Sequence, residues 1–275
     1  MRWVMLILAL AGFALLYVPL LILVIYSFNA SQLVSVWGGW STRWYVELWS
    51  NEAILDAAFV SLQVAVLSAT IGTAFGTLIG YVLSRFGGFR LRTVFTAMAT
   101  APIVMPEVVT GLSLLLLFIS MEQLIGWPAG RSVTTIVIAH ATFGMAFVAV
   151  VIQTRLAGFD RSIEEAARDL GARQPQIFLG ITLPVIAPAL ISGWLLAFTL
   201  SLDDLVIASF VSGQGSSTLP MVIYSKVRLG VSPDVNALGT IVIAAVALGL
   251  FLAAWIMRRG DAKRKREEAR AMAGQ

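Results

Sequence analysis

The chain has 275 residues, of which 59% are hydrophobic and only 12% charged, with a formal net charge of +4. A soluble domain of this length keeps about a quarter of its residues charged, so this composition excludes a water-soluble fold. It holds no cysteine, which excludes disulfides, thiolate metal sites and cysteine nucleophiles.

The apolar runs are continuous and longer than the alternating segments of a barrel, so they read as membrane helices. The first covers Val4 to Ile25 and predicts a span over 4–28. It is too long for the apolar core of a signal peptide and no small-residue cleavage site follows, so a retained span is expected. A loop with Trp37, Trp40, Trp44, Tyr45 and Trp49 comes next. Such residues commonly form a belt at the bilayer interface. Trp44 and Tyr45 are also candidates for a cation–π contact in a substrate path.

The second span is predicted over 57–84. Gly72, Gly76 and Gly80 lie four apart on it and form a small-residue face for close helix packing. The third is placed at 94–120, carries Glu107 and is interrupted by Pro102 and Pro106, breaks that free backbone carbonyls as a cavity-lining helix would need. The fourth, 133–157, contains His140, read as a packed and hydrogen-bonded core residue, because one histidine without cysteines makes a poor metal site. The fifth, 182–210, begins with Pro184 and Pro188 and carries Asp203 and Asp204 near its far end. That run is long for one upright span, and a break at Asp203-Asp204 is left open. A loop follows in which Tyr224 and Arg228 are one turn apart if helical, a candidate gate. The sixth span is predicted over 235–257, with a basic tail over 258–275 suited to an anionic leaflet.

Six spans place both termini on one side. That side carries fifteen basic residues, namely Arg2, Arg85, Arg90, Arg92, Arg155, Arg161, Arg168, Arg173 and the seven of the tail. The other carries Arg43, Arg131, Lys226 and Arg228. The bias predicts cytoplasmic termini and a cytoplasmic segment 158–181.

That segment is the main polar island of the chain. Ser162 and Glu165 have capping-box spacing, Glu164 and Glu165 fall in a first helical turn, and Ile163, Ala166, Ala167 and Leu170 form one stripe. Gly171 suits a left-handed helix end and Pro175 the start of a second helix. The pattern Glu165-Ala166-Ala167, three residues, Gly171, nine residues, Ile181, one residue, Leu183-Pro184 resembles the "EAA" loop of permease subunits in binding-protein-dependent ABC importers. That resemblance implies an all-α integral membrane protein of the type I importer permease fold, forming one permease domain. It implies that Glu165, Ala166, Ala167 and Gly171 couple the chain to a cytoplasmic ATPase, with no ATP site in the permease itself. The sequence has no Gly-x4-Gly-Lys-Ser/Thr loop.

Three acids lie within apolar runs, and no lysine or arginine sits inside a span to neutralise them. An ionised group at the bilayer centre costs about 2.5–3.5 kcal/mol on insertion scales, so such residues face a cavity or a partner. Glu107 lies roughly 20 Å, and Asp203 roughly 30 Å, along its helix from the cytoplasmic end. With Asp204 they are candidate substrate-path residues for a cation. The structural alternatives are protonation or a bond to backbone freed by Pro106 for Glu107, and capping or a place at the outer boundary for the aspartates. The stretches Val104–Gly111, Ser192–Trp194, Ser201–Asp204 and Ser212-Gly213 resemble polyamine permeases, nearest the putrescine-type subunit. This implies a bacterial inner-membrane protein that pairs with a sister permease, two ATPase subunits and a periplasmic binding protein, and has no nucleic-acid partner. A proton- or ion-coupled secondary transporter of a cation is the rival reading; it accounts for the acids but leaves the Glu165 loop unused.

Overall fold

The computed structural model describes residues 2–33, 36–229, 233–248 and 251. They are helical apart from loops and an isolated bridge between Asn29 and Trp40. Five helices among them are long and apolar enough to cross a membrane. They group into two compact units, residues 1–52 with 225–275 and residues 53–224.

The first unit contains α1 (Arg2–Tyr26) and α2 (Arg43–Trp49), with α12 (Pro233–Leu248). No residue of α1 is buried, as for a helix whose apolar side chains face lipid. At Gly239 of α12 an added Cβ would stand 3.2 Å from Leu23, so the two helices approach closely there. The loop after α1 folds around buried Asn29, whose Oδ1 accepts from Ser31 and Gly38 N–H and whose Nδ2 donates to Val36 carbonyl. The predicted sixth span lies only partly within the described residues, and the tail 258–275 lies outside them.

The second unit is built on α6 (Val133–Ala157). Its small residues Ala139, Ala141, Gly144, Ala146 and Ala149 let neighbours close in on all sides. Against it lie α3 (Glu52–Arg85), α4 (Arg92–Val104), α5 (Glu107–Ile125), α9 (Leu183–Leu202) and α10 (Val206–Val211). α3 buries Ser61, Ala65, Ser68, Ala69, Gly72, Gly76 and Gly80 while exposing Phe59, Leu62, Phe75 and Leu78. Small residues inward and large ones outward is the pattern of a helix sorted by packing, because lipid and core are equally apolar. A Cβ on Gly76 would meet Met145 carbonyl at 2.6 Å, and one on Gly80 Ala149 carbonyl at 2.8 Å. The glycine face is a packing face against α6, as its spacing predicts.

The interruption expected in the third span falls at Pro106, not at Pro102: α4 ends at Val104, Met105 is extended, and α5 starts at Glu107, so the span 94–120 is two helices. Pro106 has no N–H to continue the ladder and its ring disfavours a helical Met105, whereas Pro102 is tolerated inside α4. The fifth takes the alternative left open: α9 stops at Leu202, the chain breaks at Asp203-Asp204, and the short α10 begins at Val206, so no single helix runs to 210. At its near end the helix begins earlier than predicted. α8 (Gln174–Ile177) passes through a π-helical segment, Phe178–Thr182, straight into α9. The widened turn, with Leu183 N–H bonded to Phe178 carbonyl, falls just before Pro184, which cannot bond to Gly180. The two short helices of the polar island are thus α7 (Ser162–Asp169) and the first turn of the fifth span itself.

Candidate coupling site and intramembrane acids

α7 begins differently from its predicted capping box. Ser162 is already helical, and Asp160 Oδ1 accepts its N–H at 2.9 Å. Asp160 is therefore the capping acceptor, and that hydrogen bond holds its carboxyl below the ordinary carboxylate value. The helix ends as predicted. Gly171 has φ +86°, its N–H bonds to Arg168 carbonyl, and Ala172 N–H reaches back to Ala167 carbonyl. This is a Schellman turn, and it needs the left-handed residue that glycine supplies without steric cost.

The predicted stripe does not pack on the chain's own spans. Ile163, Glu165 and Ala166 are exposed, and Leu170 is 89% exposed. The one buried residue of α7 is Glu164. Its Oε2 lies 2.8 Å from Arg85 Nε at the end of α3, and its Oε1 accepts from Thr182 Oγ1 at 2.8 Å. Arg85 also donates to Leu156 carbonyl at the end of α6. A cleft of about 140 Å³ beside the pair is lined by Tyr81, Phe86, Arg161 and Glu165. The sequence reading missed Arg85, Glu164 and Thr182 as a set. Glu164 stood out only as a helix-start acid, and nothing local signals that two arms 79 residues apart will meet.

Among the acids, the expectation of three unpartnered carboxylates is corrected for Asp204. Its side chain is 6% exposed, and Oδ2 lies 3.1 Å from His140 Nε2. Its two oxygens accept Ile207 and Ala208 N–H at 3.3 and 2.8 Å, which satisfies the start of α10. His140 Nδ1 bonds to Ser201 Oγ at 2.7 Å, and Ser201 Oγ accepts from Ser68 Oγ at 2.9 Å. The network ties α3, α6, α9 and α10 together at the break in the fifth span. His140 is the hydrogen-bonded core residue its isolation predicts.

Asp203 caps the end of α9 and is exposed, and Glu107 is exposed in the first turn of α5. Trp44 is buried, donates Nε1–H to Asn29 carbonyl and carries the Arg43 guanidinium 4.3 Å above its ring. Tyr45 OH bonds to Ser27 Oγ at 2.6 Å. Both rings are engaged in their own loop. α11 (Leu219–Leu229) is helical through Tyr224 and Arg228, the condition for their one-turn spacing.

A bundle of apolar helices long enough to cross a membrane, with a capped, outward-facing polar helix between two of them, defines a multi-span membrane protein. Residues 72–266 match the family described as binding-protein-dependent transport system inner membrane component, and the chain belongs to that family. It is 57% identical to the putrescine transport system permease protein PotI of Escherichia coli K12, over 96% of this chain and 94% of that protein. It is 40% identical to the spermidine/putrescine transport system permease protein PotC of the same strain, over 92% and 93%. The sulfate transport system permease protein CysT of that strain is 30% identical, over 87% and 88%. Among solved structures, a bacterial ABC transporter involved in alginate import superposes with TM-score 0.74 at 18% identity, over 94% of each chain. The MetNI methionine ABC transporter gives 0.59 at 18%, over 74% of this chain and 94% of that one. These likenesses establish a helical, multi-pass importer permease of the inner membrane.

Proposed function

We propose that the chain forms half of the translocation path of an ATP-driven importer for a polyamine, putrescine first, received from a periplasmic binding protein. The observation that carries the importer reading is α7, whose apolar and acidic face, Ile163, Glu165, Ala166 and Leu170, is turned out from the bundle. Two ATPase subunits would close on ATP and displace that face, and a sister permease would supply the other half of the path. Both termini would be cytoplasmic, in keeping with the distribution of lysine and arginine.

Family membership leaves the cargo open, since a relative at 30% identity is named for sulfate. The cargo assignment is supported by the 57% relative and by Asp203 and Glu107, two carboxylates without a lysine or arginine inside the spans. A diamine leaving water needs anionic partners, because an unpaired buried cation carries a penalty of several kcal/mol.

The test is radiolabelled putrescine uptake into proteoliposomes holding the permease pair and ATPases, with binding protein outside and ATP inside. Uptake is expected to require ATP and to ignore a protonophore. Uptake that continues without ATP and collapses with the protonophore refutes the importer reading; ATP-dependent import of another solute in place of putrescine refutes the cargo.

A further inference from the structure

We propose that Arg85, Glu164 and Thr182 form a rigid three-point linkage by which displacement of α7 moves α3 and α9, making them positioning residues of the transport cycle. The inference rests on the reading of α7 as the helix that docks an ATPase. Its starting point is an inversion. A connector helix that only packs on its own bundle would bury Ile163 and expose its acids, yet α7 exposes Ile163 and buries Glu164 alone.

The acid is inside because its partners are there. Arg85 and Glu164 side chains are 8% and 7% exposed, so water does little to screen their attraction. Removing either partner strands the other charge in a dry site, which is far more disruptive than breaking a surface pair. Arg85 Nε and Nη2 are both buried with no hydrogen-bond acceptor, so Glu164 compensates the guanidinium as a close ion pair, beside the Leu156 carbonyl that accepts from Nη1. A displaced α7 therefore takes the end of α3 with it instead of sliding past.

The geometry spreads that force. Arg85 is the last residue of α3, and its Nη1 reaches Leu156 carbonyl in α6 at 3.3 Å. Thr182 ends the π-helical segment that leads into α9. Arg161, one residue before α7, donates to Ser84 carbonyl at 2.6 Å and adds a second tie to α3. Glu164 thus touches the ends of two spans directly and a third through Arg85. The glycines of α3 hold its backbone in close contact with α6.

The experiment uses the complete transporter in proteoliposomes and reads three quantities: ATPase retained on purification, ATP hydrolysed, and putrescine taken up per ATP. Glu164→Gln keeps shape and removes charge; Thr182→Val removes only the hydroxyl; the double variant Arg85→Glu/Glu164→Arg restores an opposite pair. The ATPase is expected to stay bound at the parent level and hydrolysis to continue. Uptake per ATP should fall about tenfold in Glu164→Gln, which loses the buried ion pair, and about threefold in Thr182→Val, which loses one hydrogen bond to the carboxylate. The double variant should recover most of the loss. Should Glu164→Gln fail to accumulate, Thr182→Val decides. Parent-level uptake per ATP in the single variants overturns the linkage, as does loss of the bound ATPase from both, which would make the three residues a brace for the docking helix alone. A parent complex that retains no ATPase overturns the docking reading itself, and the linkage with it.

Discussion

The glycine face of α3 gives a graded prediction. Replacing Gly72, Gly76 and Gly80 singly by alanine adds the same methyl group to three positions of one helix. A Cβ at Gly72 would meet the backbone too, Ala141 carbonyl at 3.2 Å and Met145 N at 3.3 Å, but there a shift of a few tenths of an ångström relieves the contact. At Gly76 it would stand 2.6 Å from Met145 carbonyl and 2.7 Å from Val148 Cβ; at Gly80, 2.8 Å from Ala149 carbonyl and 2.9 Å from Ile152 Cβ. These obstacles are backbone oxygens and β-branched stems, so relief requires the helices to separate. Overpacking of this kind costs about 1–3 kcal/mol. Alanine recovers about 1 kcal/mol over glycine in a helix interior. At Gly72 the two effects cancel. At Gly76 and Gly80, with the cost at its upper end, a net loss of about 2 kcal/mol remains, since the same helix gain of about 1 kcal/mol applies. For a chain of this size that corresponds to a melting temperature lower by roughly 4–8 °C. The assay is thermal unfolding of the purified transporter in one detergent, with three alanine variants beside the parent. Equal melting temperatures for all three would refute the claim that backbone approach, and not helix propensity, sets the residue type here.

Glu165→Lys is expected to leave the chain in the membrane and to weaken ATPase copurification and uptake together, since it reverses charge on the exposed face of α7. Gly171→Asp should do the same by forcing a side chain onto φ +86°, with both variants checked by pull-down and uptake from the same membranes. Asp204→Ala should lower stability by about 3 kcal/mol or more, because it unpairs buried His140 and two N–H groups at once, and unfolding of the purified complex will show it. Asp203→Asn and Glu107→Gln should instead spare stability while at least one lowers putrescine uptake strongly at matched membrane levels. Parent-rate transport by both would leave the cationic cargo without support from these side chains.

The sequence by itself determined whatever depends on local chemistry or on patterns within one helix. Apolar run length marked where spans lie without fixing the ends of the third and fifth, the four-residue glycine spacing marked the tight face of α3, and Gly171 with Pro175 fixed the turn after α7. α7 and the turn after it could be read because their pattern is contained in twenty consecutive residues, from Glu165 to Pro184. Tertiary structure alone decided how the isolated charges are used. Asp203 and Asp204 are adjacent in sequence and identical in kind, yet one is exposed at a helix end while the other holds His140 and the start of α10. Glu164 and Glu165 are likewise adjacent, and the turn of roughly 100° per residue sends one toward Arg85 and the other outward. The two broken spans divide the same way. Pro106 ends the third by its own local chemistry, whereas the break left open at Asp203-Asp204 is settled where Asp204 meets His140 and the start of α10. A one-dimensional pattern carries period and propensity; which of two neighbouring carboxylates meets a partner 64 or 79 residues away is set only when the helices pack.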